Sequence, residues 1–348
     1  VNAAQQLRDA AAKRILIKDG AYGTQVQARR LNEADYRGTL ALGRDQKGNN
    51  DLLNLTMPAL VGEIASSFAD AGADILATNT FNANAISQAD YGAEHLVRDM
   101  NRASARIVRE VADRATAKDG RRRFVAGALG PTNKTLSLSP NVNDPGYREI
   151  DFDTLSDVYV EQIEALVEGG AEFALIETVF DTLNAKAAIH AARRVAESLG
   201  RDLPIMLSMT VTDLSGRNLS GHSIEAFWAS VRHARPLSVG LNCSFGAAQL
   251  RPHIAALSAI ADTLIMAYPN AGLPNDLGDY DECPATTSAQ VREWAETGTV
   301  NIVGGCCGTT PAHIQAIAET VAGFAPRALP EPPRWTRLAG IEPMVIAA

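Results

Sequence analysis

Cysteine is scarce in this chain, with 4 in 348 residues. So few thiols in so long a chain do not build a disulfide framework, and reduced thiols in a cytoplasmic setting are expected. No Cys-x-x-Cys pair occurs, which argues against a dithiol redox motif. No apolar stretch reaches transmembrane length and no signal peptide opens the chain, so no membrane partner is expected. Basic residues never run longer than Arg121-Arg122-Arg123, and the net charge is -8. Nucleic acid is therefore not an expected partner, and the triplet reads as a solvated loop before a strand. None of the six histidines follows a strand end, which leaves histidine ligation or a Ser/Cys-His pair little support.

What the chain does have is rhythm. Eight short apolar runs recur with helical patterns between them: Ile15–Asp19, Ile75–Asn79, Phe124–Ala128, Phe173–Glu177, Ile205–Met209, Ser238–Asn242, Leu264–Tyr268 and Asn301–Gly304. Near-continuous apolar strands alternating with helices imply a parallel sheet covered on both faces. Eight such units over this length predict an α/β fold of the (β/α)8 TIM-barrel type, with its site at the C-terminal ends of the strands. Gly72 and Gly170 each sit between a helical pattern and a strand, where a left-handed helix cap is expected. Residues 5–14 read as a short leading helix.

Two segments break the rhythm. Residues 29–56 and 131–153 are long polar insertions after strands one and three, and lids or substrate walls are expected there. The barrel is expected over residues 1–325. Residues 326–348, proline-rich from Pro326 to Pro333, read as a linker-like tail.

The polar residues at the strand ends carry the chemistry. Strand one ends in Asp19, followed by Gly20, Ala21, Tyr22, Gly23 and Thr24. Strand four ends in Glu177, strand six in Asn242 and Cys243, strand seven leads to Asn270, and strand eight to Cys306 and Cys307. Three cysteines converging across a barrel mouth make a thiolate pocket for a soft metal, of which Zn²⁺ with one open position fits best. The competing readings are small buried hydrophobes or a redox pair. Gly304, Gly305 and Gly308 favour access over simple packing. Cys283 lies in a polar loop and reads as a bystander thiol; as a fourth ligand it would close the site. Asp19 and Asn270 could each be turn chemistry alone. Glu177 ends an apolar run, where a carboxylate needs a cation. No lysine or arginine stands near it in sequence, and a substrate ammonium is the alternative. Thr309-Thr310-Pro311 reads as a helix cap.

These residues resemble a known family, the homocysteine-binding, zinc-dependent S-methyltransferase module of cobalamin-dependent methionine synthase. The resemblance runs almost end to end. It is carried by Asp19–Thr24, Leu31–Asp35, Gly48–Asp51, Thr78–Phe81, Gly130–Asn133, Ile176–Thr178, Leu219–Gly221, Gly240–Cys243, Pro269–Pro274 and Gly304–Gly308. The cysteine motif is shared with the wider homocysteine methyltransferase family. The resemblance implies Cys243, Cys306 and Cys307 as zinc ligands, with Asn270 in the open position when substrate is absent. It implies Asp19, Glu177 and the backbone of Gly20, Ala21, Tyr22, Gly23 and Thr24 as anchors for the amino-acid part of L-homocysteine.

The implied reaction is methyl transfer to the homocysteine thiolate, giving methionine, with methylcobalamin on a partner as donor. The resembled enzyme continues into folate-binding and corrinoid-binding modules, whereas no Asp-x-His-x-x-Gly signature occurs here. The expected partners are therefore a separate corrinoid-binding and folate-binding protein, or modules of a longer chain. Two other functions compete: a self-sufficient methyltransferase using a small donor such as betaine or S-methylmethionine, and a catalytically silent zinc-holding scaffold.

Overall fold

A computed structural model describes residues 2–331 and 333–347. The expected eight strands form one parallel sheet: β1 (Leu16–Ile17), β2 (Ile75–Ala77), β3 (Phe124–Leu129), β4 (Phe173–Val179), β5 (Ile205–Met209), β6 (Ser238–Gly246), β7 (Leu264–Asn270) and β8 (Ile302–Val303). From β2 to β8 each strand pairs with the next in sequence, and β8 returns to pair with β1. Helices follow every strand and cover the outside, which makes a (β/α)8 barrel.

The interior is packed, as strand alternation requires. Leu16, Ile75, Phe124, Phe173, Leu175, Met206, Met266 and Ile302 fill it, and the leading helix Ala3–Ala11 closes its floor through Ala4, Leu7 and Ala11. Gly240 on β6 has no room for a side chain against β7; a Cβ there would lie 1.6 Å from the Met266 carbonyl oxygen. The second apolar layer lies between the sheet and the outer helices. Gly72 and Gly170 have φ of +109°, as their capping role demands. Thr310 caps the helix Pro311–Val321. Among the described residues no single helix is long and apolar enough to cross a membrane.

Closure depends on side chains. Between β1 and β2 there is a single isolated bridge, Lys18 to Ile75. Two carboxylates complete the seam. Asp74 Oδ2 accepts the Ile17 N–H at 2.9 Å, and Asp19 Oδ2 accepts the Ala77 N–H at 2.8 Å. Asp74 is fully buried and also takes a two-point contact from Arg14, both bonds 2.7 Å. Arg121 approaches the same carboxylate at 3.2 Å. The basic triplet is therefore not a solvated loop. Arg123 is buried against Asp119, Arg122 pairs with Glu172, and Arg121 serves the seam.

The insertion after β1 includes the helices Glu33–Arg37 and Leu53–Thr56 and reaches the end of β2, where Asn54 donates to the Asn79 carbonyl at 2.7 Å and the Asn79 side chain donates to the Asn50 carbonyl at 2.8 Å. Beyond the barrel, the tail is more structured than its prolines suggest. Arg327 is buried and donates to the carbonyls of Ser258, Ala261 and Thr263. The strands Thr336–Ala339 and Pro343–Ile346 then pair as an antiparallel hairpin.

Two stability predictions follow from this packing. Asp74→Ala leaves the Ile17 N–H without its acceptor and strands two arginines, so it should lower the unfolding free energy by about 3 kcal/mol. Asp74→Asn keeps an acceptor and should cost less. Equal losses in denaturant titrations would show that the seam needs only the ion pair. The second concerns Asp51, a buried carboxyl in the insertion that accepts the Asn82 N–H at 3.0 Å. Burial pushes it up to about 7. The native chain thus holds a proton that the unfolded chain releases near 3.8, and stability falls as pH rises through that window. Asp51→Asn should match the parent at about pH 4 and exceed it increasingly towards about pH 8. A constant offset in urea midpoints would contradict this.

Candidate metal centre

Strict alternation along β6 points Asn242 into the barrel and Cys243 away from it. The backbone overrides this. Cys243 and Ser244 are both left-handed, with φ of +62° and +60°, and the register to β7 shifts between Asn242 and Gly246. Such a bulge re-aims a side chain at the cost of local strain, roughly 1–3 kcal/mol per residue. β4 does the same at its end, where Thr178 has φ of +58° and the register to β5 shifts after Ile176. A left-handed β-branched residue is rare.

The cysteine pair after β8 is tied down on every side. The Cys306 N–H donates to Pro269 O at 2.8 Å, and Cys307 O accepts from the Ala271 N–H at 2.9 Å. The Thr309 hydroxyl donates to Cys306 O at 2.6 Å, and the Gly308 N–H donates to the Thr24 hydroxyl at 2.9 Å. The loop tolerates no side chains at its glycines. A Cβ on Gly305 would lie 2.4 Å from Thr309, and one on Gly308 would lie 2.3 Å from Tyr280.

These two constructions bring three thiols together. The sulfurs of Cys243, Cys306 and Cys307 all lie within 4.8 Å of one another, and Cys243 and Cys307 are 3.8 Å apart. A tetrahedral centre with metal–sulfur bonds of about 2.3 Å holds its sulfurs about 3.8 Å apart, so the donor set suits zinc. Asn270 is buried between the hydrogen bonds that fix the cysteine pair, and its Oδ1 has no partner. An orphaned buried oxygen beside soft donors is a further mark of a cation site. Cys283 stands apart, exposed at the start of the helix Pro284–Glu296. Without a metal the cluster shares its protons unevenly. Hydrogen bonds from Cys243 and Cys306 hold Cys307 down at about 3, and the Cys306 thiol is pushed well up by the same contacts and by burial.

Below the thiols lies a polar layer. Asn242 Oδ1 accepts from the Ser208 hydroxyl at 2.6 Å and from the Thr178 N–H at 3.1 Å. Its amide nitrogen donates to Thr178 Oγ1 at 2.8 Å and faces Cys306 Sγ at 3.8 Å. Glu177 is buried and accepts the Tyr268 hydroxyl on Oε2 at 2.9 Å. The cation missing from the sequence neighbourhood of Glu177 is Lys18, brought in from β1. Burial raises Glu177 above the usual carboxylate range, while Lys18 and the Tyr268 hydroxyl pull it back. Burial disfavours the charge on Lys18, but Asp19 and Glu177 together outweigh that and hold its pKa up.

The segment after β1 borders this layer. Asp19 is fully buried, with Oδ1 on Lys18 Nζ at 2.9 Å and Oδ2 on the Ala77 N–H. Gly20 is required by contact, since a Cβ would sit 2.7 Å from the Phe68 ring. Tyr22 is buried with its hydroxyl unpartnered, and Thr24 reaches the cysteine loop. Lys18 and Tyr268 gave little sign of a role in the sequence. The clue was a lysine within the apolar run of a strand, in register with interior positions. A cavity of about 1240 Å³ opens at the opposite end of the barrel beside Trp228, Leu237 and Asn301 and includes none of the cysteines.

Comparison with known proteins agrees with this geometry. The family described as homocysteine S-methyltransferase matches residues 16–321. The homocysteine methyltransferase MmuM from Escherichia coli, in its metallated form, superposes with a TM-score of 0.71 at 21% identity, over 91% of this chain and 99% of that one. Its oxidized form gives 0.70 at 20% identity over the same shares, and its apo form 0.64 at 20% identity over 88% and 96%. At these identities the superpositions speak for the fold alone, and the match along the sequence speaks for the family. With a family match spanning most of the barrel, the chain belongs to the homocysteine S-methyltransferase family.

Proposed function

We propose that this chain transfers a methyl group to the thiolate of L-homocysteine, with zinc held by Cys243, Cys306 and Cys307. Zinc, when bound, supplies a Lewis acid that keeps a substrate thiol deprotonated. The remaining work falls to the chain. Three thiolates cancel the charge of a divalent ion, so an added sulfur keeps its electron density. Asn242 steadies Cys306 from below, and Asn270 offers its unpartnered oxygen to the position that substrate sulfur would take. Glu177, with Asp19 behind it, receives the substrate ammonium, and the backbone from Gly20 to Thr24 lines the amino-acid end.

The donor is proposed to be methylcobalamin on a corrinoid-binding protein or module, remethylated by a folate-binding one. A single observation carries this. The loops at the thiol end expose large apolar side chains: Val142 and Tyr147 after β3, Leu214 and Leu219 after β5, Leu273 and Leu277 after β7. Exposed apolar surface around a site mouth suits a docking protein better than a small polar donor. The end-to-end sequence resemblance supports the same choice. The competing reading is a self-sufficient enzyme with a small donor, favoured by the near-complete cover of single-barrel MmuM.

The metal reading predicts about one zinc per chain. Cys243→Ala, Cys306→Ala and Cys307→Ala should each lose tight binding, whereas Cys283→Ala should keep it. Binding should release protons and weaken as pH falls, because thiols must ionise to ligate. Full zinc in Cys306→Ala by metal analysis would refute the site. For the donor, methylcobalamin should support slow turnover and a corrinoid-carrying protein should raise the rate greatly, because docking replaces a poorly oriented encounter. Methyltetrahydrofolate, betaine and S-methylmethionine offered alone should be inactive. Rapid turnover with either of the last two, and none with methylcobalamin, would select the self-sufficient enzyme.

A further inference from the structure

Two carboxylates and one ammonium are buried together below the thiols, and methyl transfer gives the ammonium no task. Lys18 and Asp19 have only 4% and 0% of their side chains exposed. Lys18 Nζ lies 2.9 Å from Asp19 Oδ1 and 4.4 Å from the centre of the Tyr268 ring. Tyr268 in turn donates its hydroxyl to Glu177 Oε2 at 2.9 Å. One line of contacts therefore runs from Asp19 through Lys18 and Tyr268 to Glu177. Asp19 has both oxygens engaged, the second by the Ala77 N–H. Glu177 has one engaged, and Oε1 meets no donor among the described residues.

The charges explain the arrangement. An amino-acid substrate brings one ammonium, but the site holds two acids. Left without another cation, two neighbouring buried carboxyls would share a proton, and neither would offer a full negative charge. A buried charge persists only when paired, and Lys18 is the pair for Asp19. Its contact with the face of Tyr268 is of the cation–π kind, which fixes the ring that orients Glu177.

We propose that Lys18 is a positioning residue for the amino-acid end of the substrate: it occupies Asp19 and steadies Tyr268, so that Glu177 alone presents an open negative oxygen to the ammonium. This rests on the reading of Glu177 as the ammonium anchor. Lys18 itself is too deeply enclosed to touch the substrate. A plain Coulomb view gives the opposite sign, since a lysine near Glu177 would repel an ammonium.

The test compares homocysteine with 4-sulfanylbutanoate, which has the same thiol and carboxylate but no amine. Both are titrated calorimetrically into the zinc-loaded full chain. The native chain should prefer homocysteine by about thirtyfold or more, the lower end for a desolvated charge pair. Lys18→Met should shrink that preference at least tenfold, with affinity for 4-sulfanylbutanoate and zinc content unchanged. Lys18→Met/Asp19→Asn, which removes the cation and the acid it occupies, should recover most of the preference. It also serves if the single variant does not fold. Equal weakening of both ligands by Lys18→Met, or a wider preference, overturns the proposal. So does a double variant no better than the single. A native chain without the preference, or a Glu177→Gln variant that keeps it, overturns instead the reading of Glu177 on which the proposal stands.

Discussion

The barrel closes on two carboxylates. Seven of its eight strand junctions are backbone ladders of two or more residues, but the β1–β2 junction has one bridge. Asp74 and Asp19 supply acceptors there that the neighbouring strand does not. Asp74 works at the lower end of the seam, with arginines that hold its charge. Asp19 works at the upper end, where the loop to the cysteine pair begins. The Gly305 N–H points at the Asp19 carbonyl, at 3.4 Å. Asp19 thus stands between the seam to β2 and the loop that carries the cysteine pair after β8.

The thiol cluster is a second departure from regularity, and a necessary one. Strands bearing alternate side chains cannot direct neighbouring residues such as Asn242 and Cys243 to the same place. Left-handed backbone at Cys243 and Ser244 allows both to serve the site, one below the thiol cluster and one within it. Asn242, locked by Ser208 and Thr178, receives the bulges of β4 and β6 on one amide group. Three of the left-handed non-glycine residues, Thr178, Cys243 and Ser244, cluster at the site; Arg30 and Arg235 lie away from it.

Much of this was legible in the sequence, for physical reasons. The eight strands were readable because strands buried on both faces are almost wholly apolar. The three cysteines and Asn270 were readable because barrel strands deliver their last residues to one end. Lys18 was not, because its meaning lies in the inward register of β1 and in a partner on β4, more than 150 residues away by sequence number. The partners of Asp74 and the burial of Arg123 were hidden likewise, since a run of arginines looks the same whether solvated or spent on internal acids. The hairpin of the tail escaped notice because prolines precede it and both its strands are exposed.

Asp19 has one further consequence, and it concerns how such a chain can change over generations. One oxygen of its carboxylate belongs to the architecture, through Ala77, and the other to the charge arrangement, through Lys18. A mutation at this position is judged twice, once by whether the barrel stays shut and once by whether the site keeps its balance. Drift that relaxes one requirement is caught by the other. Loss of the Lys18 side chain leaves the stitch from Asp19 to Ala77 in place, so the charge arrangement can be retuned from the neighbouring residue without reopening the seam.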